Sequence, residues 1–254
     1  MDPRAKIVLL IAYIVLIFLV KNFFGFAAAG AFLLVAIIFS RVPIFSVIKS
    51  VRAIIFIIII TFVINVFLHK EDEANVFLEW SVFAVTDKSL IFATFMALRL
   101  VYLIFGSSLL TLTTTPVSLT DGIESLLTPL KWVRFPVHEL ALIMSIALRF
   151  IPTLMEETER IINAQKARGA DFESGNIFKR VKALLPVLIP LLVSAFRRAD
   201  ELGDAMDARC YSGSKNRTKY KKLRFTYRDL LATLILAGTF TGIIFLNIYG
   251  VNVI

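Results

Sequence analysis

Five long apolar segments constrain this chain more than any other feature of its sequence. A helix needs roughly 20 mostly apolar residues to cross a bilayer, and each segment reaches that length or comes close. Because lipid offers no partner to backbone N–H and C=O groups, such segments must be helical. The sequence therefore predicts an all-α integral membrane protein with about five transmembrane helices, near residues 6–20, 22–39, 53–69, 89–112 and 228–248.

The composition favours a membrane protein but also includes a strongly basic part. Hydrophobic residues make up 58% of the 254-residue chain, against about 45–50% in soluble domains. The net charge is nonetheless +9, which suits a cytoplasmic membrane face or a nucleic acid as partner. The single cysteine, Cys210, excludes an internal disulfide and any cysteine-based zinc or iron–sulfur site.

Charged residues between the apolar segments predict how the chain is oriented. Arg41, Lys49 and Arg52 follow the second segment, and loops rich in Lys and Arg usually face the cytoplasm. The N-terminus is then cytoplasmic, and the acidic loop at 69–88 lies outside. We expect the first segment to be retained as a helix and not removed as a signal peptide. Six or seven spans remain an alternative, because residues 183–196 form another, shorter apolar run.

A helical insertion precedes the last apolar segment and is expected to be cytoplasmic. Helical spacing of apolar residues predicts helices over 118–130, 136–168 and 176–209. Prolines should bend the long helices, either as flexure points or as ordinary bends that fit the helices to the membrane surface; they are Pro152, Pro186 and Pro190. The sequence thus divides into a four-helix transmembrane region, cytoplasmic coupling helices and a final transmembrane helix, over 1–115, 116–227 and 228–254.

One phrase occurs twice in the insertion, 41 residues apart. AQKARGADF at 164–172 and AMDARCYSG at 205–213 each read Ala-x-x-Ala-Arg followed by a small residue. A single arginine in a last helical turn is explained by the helix dipole. Two copies instead predict two similar contacts with a partner, because the alanines beside each arginine expose the backbone and let another surface approach the helix end. The guanidinium forks of Arg168 and Arg209 would meet carboxylates or carbonyls there.

Other residues support weaker hypotheses. The acidic stretch Glu156, Glu157 and Glu159 would suit a membrane-embedded lipid-processing enzyme, although a solvated helix face explains it better. The basic tail at 214–224 fits contact with anionic lipid, with a nucleic-acid or signalling partner as the alternative. Arg99, inside the fourth segment, is expected to have a structural pairing and not a transport role. The chain has no P-loop, so it is not expected to bind ATP.

The two phrases, together with RFIP at 149–152, resemble the paired Ala-Arg-Gly motifs of the transmembrane T component of energy-coupling factor (ECF) transporters. The order of spans, insertion and last span is similar over essentially the whole chain. Cys210 is a departure, because the family pattern more often has glycine there. The resemblance implies a subunit of the prokaryotic plasma membrane with no catalytic residue, metal site or cofactor of its own.

The resemblance also implies partners and a mechanism. Two ABC-type ATPases, as a homo- or heterodimer, would bind ATP and Mg²⁺, while a membrane S component would bind a vitamin or transition-metal ion. No nucleic acid is expected. The two arginine-tipped helices would dock on the ATPases and transmit their motion to the S component. Carried over by position, the docking residues would be Ala167, Arg168, Gly169, Ala208, Arg209 and Cys210.

Overall fold

The computed structural model describes residues 1–40, 42–52, 54–68, 76–80, 83–133, 135–172, 176–213 and 225–249. Within them the chain forms nine α-helices, one 3-10 helix and a two-stranded hairpin. Its contacts separate two compact units, which we call the membrane bundle (Met1–Gly122 with Leu223–Ile254) and the coupling unit (Ile123–Lys222). The three-part division of the sequence stays a prediction.

The helices of the membrane bundle follow the predicted apolar segments closely. The all-α membrane architecture is confirmed by α1 (Pro3–Leu19), α2 (Phe23–Ser40), α4 (Ile55–Leu68), α5 (Asp87–Thr113) and α9 (Tyr227–Tyr249). Two shorter helices accompany them, α3 (Ile44–Arg52) and α6 (Pro116–Leu127). The sequence predicted a cytoplasmic loop where α3 lies, because Lys49 and Arg52 suggested a loop. The structure has an amphipathic helix there instead, with Val47 buried.

Four helices in the described part of the chain are long and apolar enough to cross a membrane. They are Phe23–Ser40, Lys88–Thr113, Val137–Ala167 and Tyr227–Ile248, and the bent pair α3–α4 would make a fifth. This set differs from the predicted one in two helices. It lacks α1, which has only 17 residues, and it includes Val137–Ala167, whose first half is mostly apolar, with Glu139 and Arg149 as its charged residues, and whose other acidic residues follow Leu154.

Close helix packing builds the core of the bundle. Helix α5 packs against α1, α2, α3 and α4, while α9 packs against α1 and α2. Glycines permit two of these contacts: a Cβ on Gly106 would lie 2.5 Å from the Tyr13 ring, and one on Gly30 would lie 2.6 Å from the Tyr102 hydroxyl. Small residues at such positions let membrane helices approach closely. The central side chains include Leu16, Ile17 and Phe26.

A short hairpin lies between α4 and α5, where the sequence predicted an outside loop. Strands β1 (Val76–Trp80) and β2 (Phe83–Thr86) pair antiparallel, with Trp80 opposite Phe83 and Val76 opposite Thr86. The pairing has an irregularity between Val76 and Leu78. The acidic residues at 71–73 that suggested an outside loop lie outside the described residues.

Hydrogen bonds join three distant chain segments at one end of the bundle. The buried Asp229 carboxylate accepts from the Asp2 backbone N–H at 3.0 Å and from the Thr226 N–H at 2.7 Å. The Lys6 ammonium donates to the Thr113 carbonyl at 2.7 Å. We call these five residues the terminal clasp. The clasp therefore joins the ends of α1, α5 and α9 to one another.

Arg99 and two asparagines tie the other parts of the bundle together. The Arg99 guanidinium donates to the Val20 carbonyl at the end of α1 at 3.1 Å and lies 5.6 Å from the centre of the Phe18 ring. Asn22 donates to the Leu246 carbonyl and Asn247 donates to the Leu19 carbonyl. These side chains satisfy carbonyls that the helix ends leave open, and Arg99 has the structural pairing that the sequence predicted.

The coupling unit consists of a 3-10 helix and two long α-helices. After η1 (Thr128–Val133) come α7 (Val137–Ala167) and α8 (Ile177–Ala208), which pack against each other. The long helices begin and end within one residue of their predicted limits. Pro152 lies inside α7, and Pro186 and Pro190 lie inside α8. Each helix is continuous through its prolines, and their role as flexure points stays a prediction.

Candidate docking site

The first repeated phrase forms the C-terminal end of α7. The Gly169 N–H donates to the Lys166 carbonyl at 3.0 Å, and the Ala170 N–H donates to the Gln165 carbonyl at 3.0 Å. This pair of hydrogen bonds is a Schellman motif, which requires a residue with positive φ just after the helix. Gly169 has φ of +88°, with no atom near a would-be Cβ. Backbone conformation, and not crowding, therefore explains the glycine.

The second phrase ends α8 in the same way. The Cys210 N–H donates to the Asp207 carbonyl at 2.9 Å, and the Tyr211 N–H donates to the Met206 carbonyl at 3.0 Å. Cys210 has φ of +56° and is the non-glycine residue with positive φ in the described part of the chain. The departure from glycine thus keeps the helix-end geometry, at a cost of about 1–2 kcal/mol for an L-residue in this region.

Both helix ends present the same side chains to the outside. Arg168 and Arg209 are exposed, and so are the four alanines beside them, Ala164, Ala167, Ala205 and Ala208. Neither guanidinium has a hydrogen-bond or ion-pair partner among the residues the structure describes. The predicted docking residues therefore form two matching exposed surfaces. Each consists of one arginine side chain beside small residues at a helix end. Their docking role stays a prediction.

The contact between α7 and α8 includes an ion pair that sequence reasoning missed. Arg198 Nη2 donates to Glu157 Oε2 at 2.7 Å, and the Ser194 hydroxyl also hydrogen-bonds the Glu157 carboxylate. The sequence predicted that Glu157 shares one solvated acidic face with Glu156 and Glu159. The repeat does not separate them, because Glu156 and Arg197 are 41 residues apart just as Glu157 and Arg198 are.

The described residues do not bring together ligands for a metal ion. No group of three or more His, Cys, Asp or Glu side chains with a suitable arrangement occurs among them. His138 Nδ1 instead lies 2.8 Å from Glu124 Oε1, linking the start of α7 to α6. Cys210 is an exposed free thiol. The acidic residues Glu156, Glu157 and Glu159 lie on a helix paired with α8, not around a cavity that the structure defines.

Apolar helices able to cross a membrane define this chain as an all-helical integral membrane protein. Its sequence shows the family, because the model of the CbiQ family, described as cobalt transport proteins, matches residues 1–220. The chain belongs to this family. The resemblance to ECF transmembrane components is confirmed by relatives that carry that name.

Three of these relatives cover nearly the whole chain, and each is called energy-coupling factor transporter transmembrane protein EcfT. The protein of Ruminiclostridium cellulolyticum is 48% identical over 246 residues, 97% of this chain and 91% of its own length. That of Clostridium kluyveri is 50% identical over 92% of this chain and 86% of its own length. That of Bacillus subtilis is 46% identical over 94% of this chain and 90% of its own length.

Proposed function

We propose that this chain is the energy-transducing T component of an ECF-type importer. It couples ATP hydrolysis by two partner ATPases to uptake of a vitamin or transition-metal ion that an S component binds. The observation that carries the proposal is the pair of equivalent helix ends, each with an exposed arginine whose guanidinium has no partner among the described residues. Two matching surfaces on one chain suit a partner that itself offers two similar sites.

The docking chemistry follows from the helix ends. A guanidinium presents a rigid planar fork that binds a carboxylate through two parallel hydrogen bonds. Small alanines beside each arginine expose the backbone, so a partner surface can come close. We therefore assign Arg168 and Arg209 as the anchors, which pair with acidic groups of the ATPases. Ala167, Gly169, Ala208 and Cys210 allow the close approach.

The proposal places the chemistry in the partners. The ATPases bind ATP and Mg²⁺, the S component recognises the substrate, and this chain needs no cofactor and catalyses no step. The membrane is the plasma membrane of a prokaryotic cell, with the N-terminus and the coupling unit in the cytoplasm. A membrane-embedded lipid-processing enzyme, the alternative from the sequence, finds no support in the family to which the chain belongs.

A co-purification experiment tests the proposal. The tagged chain, expressed with the genes next to its own, should purify with two ATPase subunits and support ATP-driven uptake in proteoliposomes. Arg168→Ala combined with Arg209→Ala should abolish both while the chain still inserts in the membrane. Arg149→Ala with Arg197→Ala is the matched control, because these arginines are also exposed and one lies on each helix. Normal uptake by the Arg168/Arg209 variant would refute the docking role.

A further inference from the structure

The similarity of α7 and α8 extends well beyond the two repeated phrases. When residues 151–170 are aligned with 192–211 at the 41-residue offset, 18 of the 20 positions have the same degree of exposure; only the pairs Thr158/Ala199 and Ile162/Gly203 differ. The shared half-buried positions recur at helical spacing, which defines one inward-facing stripe on each helix. Two helices with matching stripes can pack about an approximate twofold axis.

The Glu157–Arg198 ion pair is the contact expected on such an axis. Its two residues occupy equivalent positions of the repeat, and each lies 11 residues before the arginine of its own helix end. Eleven residues of α-helix are about 16 Å long. No proline lies between 157 and 168 or between 198 and 209. Each helix is therefore unbroken from the ion pair to its C-terminal end, over 157–168 and 198–209. We call these two segments of equal length the arms, and each ends in a Schellman motif.

Neighbouring charges make this register the favourable one. Because a short loop joins consecutive helices that meet at 157 and 198, α7 and α8 run in roughly opposite directions. Sliding α8 by three residues would then place Glu157 opposite Glu201 and Arg160 opposite Arg198, and sliding it the other way would place Ala195 opposite Glu157. One slip thus brings like charges together, and the other leaves Glu157 without its cation. At the observed register Glu157 meets the opposite charge of Arg198. Half-buried ion pairs contribute little net stability, but they can specify the register of helices.

One detail indicates that the pair is not optimised for stability. Arg198 Nε is buried without a hydrogen-bond partner in the described residues, and the side chains of Arg198 and Glu157 are only 33% and 24% exposed. Leaving such a donor unsatisfied costs free energy. An apolar pair at these positions would avoid that cost, but it would permit sliding.

We propose that Glu157 and Arg198 form a register pin that keeps the two arginine-tipped arms equal in length. A slip of one turn would move one helix end about 5.4 Å beyond the other. Two equivalent docking sites could then no longer be filled together. These two residues act on docking only through Arg168 and Arg209, so they are positioning residues. This inference rests on the proposed function for its effect on uptake, but not for its effect on the helices.

Spin-label distances test the pin in the full chain with its associated subunits in nanodiscs. In a Cys210→Gly background, labels at Asn163→Cys and Asp204→Cys, which are exposed and equivalent positions, report the distance between the arms. Wild-type residues at 157 and 198 should give one narrow distance distribution. Glu157→Arg or Arg198→Glu alone should broaden or shift it by about 5 Å and lower uptake about tenfold. The double charge swap should restore both.

The matched control is the adjacent equivalent pair. Glu156 and Arg197 carry the same charges at the same offset but are exposed, so Glu156→Arg or Arg197→Glu should leave the distances unchanged. If a reversal at 157 or 198 prevents folding, Glu157→Gln with Arg198→Gln removes the charges without repulsion and should broaden the distribution.

An unchanged distribution in the variants at 157 and 198, or a double swap that fails to restore it, overturns the pin. If the wild-type complex shows no ATP-driven uptake, the proposed function fails, while the distances still decide on the pin.

Discussion

The membrane bundle and the coupling unit are both helical and rich in apolar residues, yet they use these residues differently. The bundle has a continuous buried core, from Tyr13 in α1 to Ile243 in α9. In the coupling unit, Val137 and Val187 are the buried residues among those described. Both units expose large apolar side chains, among them Phe39 at 84% in α2 and Phe178 at 85% in α8. Such surfaces mark contacts with a partner or a membrane.

The polar groups differ in the same way. In the bundle, Asp229, Arg99 and Asn247 bind backbone groups of other chain segments. In the coupling unit, Arg168 and Arg209 have no partner among the described residues. The bundle therefore uses polar side chains to join its own chain segments, whereas the helix ends of the coupling unit leave two guanidinium groups without a partner among the described residues. We expect substitutions in the bundle to affect folding first, and substitutions at the helix ends to affect function without loss of folding.

The largest effect is expected from removing the centre of the terminal clasp. Asp229→Ala would leave the Asp2 and Thr226 N–H groups without their acceptor, and the buried Asp2 N–H alone would cost about 1–3 kcal/mol. The thermal stability of the detergent-purified chain should fall strongly, as measured by size-exclusion chromatography after heating. Asp229→Asn keeps one carbonyl oxygen and should lose much less. Equal stability of all three proteins would show that the clasp does not hold the bundle together.

Most of the bundle could be predicted from sequence, but the clasp could not. Apolar runs identify membrane helices because the bilayer demands about 20 such residues, and this located α2, α5 and α9 well. The clasp joins residues 2, 113 and 229, which only the fold brings together. Helix α3 was missed for a different reason, since Lys49 and Arg52 suggested a loop although they occupy its last turn.

A smaller effect, on function alone, should come from changing the shape of a docking cation. Arg168→Lys and Arg209→Lys each keep the charge but lose the bidentate fork. Each single substitution should lower ATP-driven uptake about tenfold, which corresponds to roughly 1.4 kcal/mol. If the two helix ends are equivalent, the factor should be similar at both. Membrane insertion and thermal stability should not change, and Arg197→Lys is the control. A loss confined to one end would show that the two surfaces do not do the same work.

The docking ends themselves were predicted closely, because the signals for them are local. Gly169 marked the end of α7, and the repeat transferred that end to α8 within one residue. The structure ends α8 at Ala208, with Cys210 in the position of the glycine. Pairing between α7 and α8 required the structure, since no local pattern distinguishes Glu157 from the neighbouring Glu156.

The smallest effect tests the equivalence of the helix ends at the one position where they differ. Cys210→Gly should raise thermal stability slightly, because glycine adopts positive φ without the cost of about 1–2 kcal/mol that an L-residue meets there. Gly169→Cys should lower it by a comparable amount, since nothing but the backbone conformation requires glycine at that site. The measurement is the shift in unfolding temperature of the two variants and of the double exchange, which should be close to that of the parent. If Cys210→Gly destabilises the chain instead, the thiol makes a favourable contact that glycine cannot replace, and the two ends are not interchangeable.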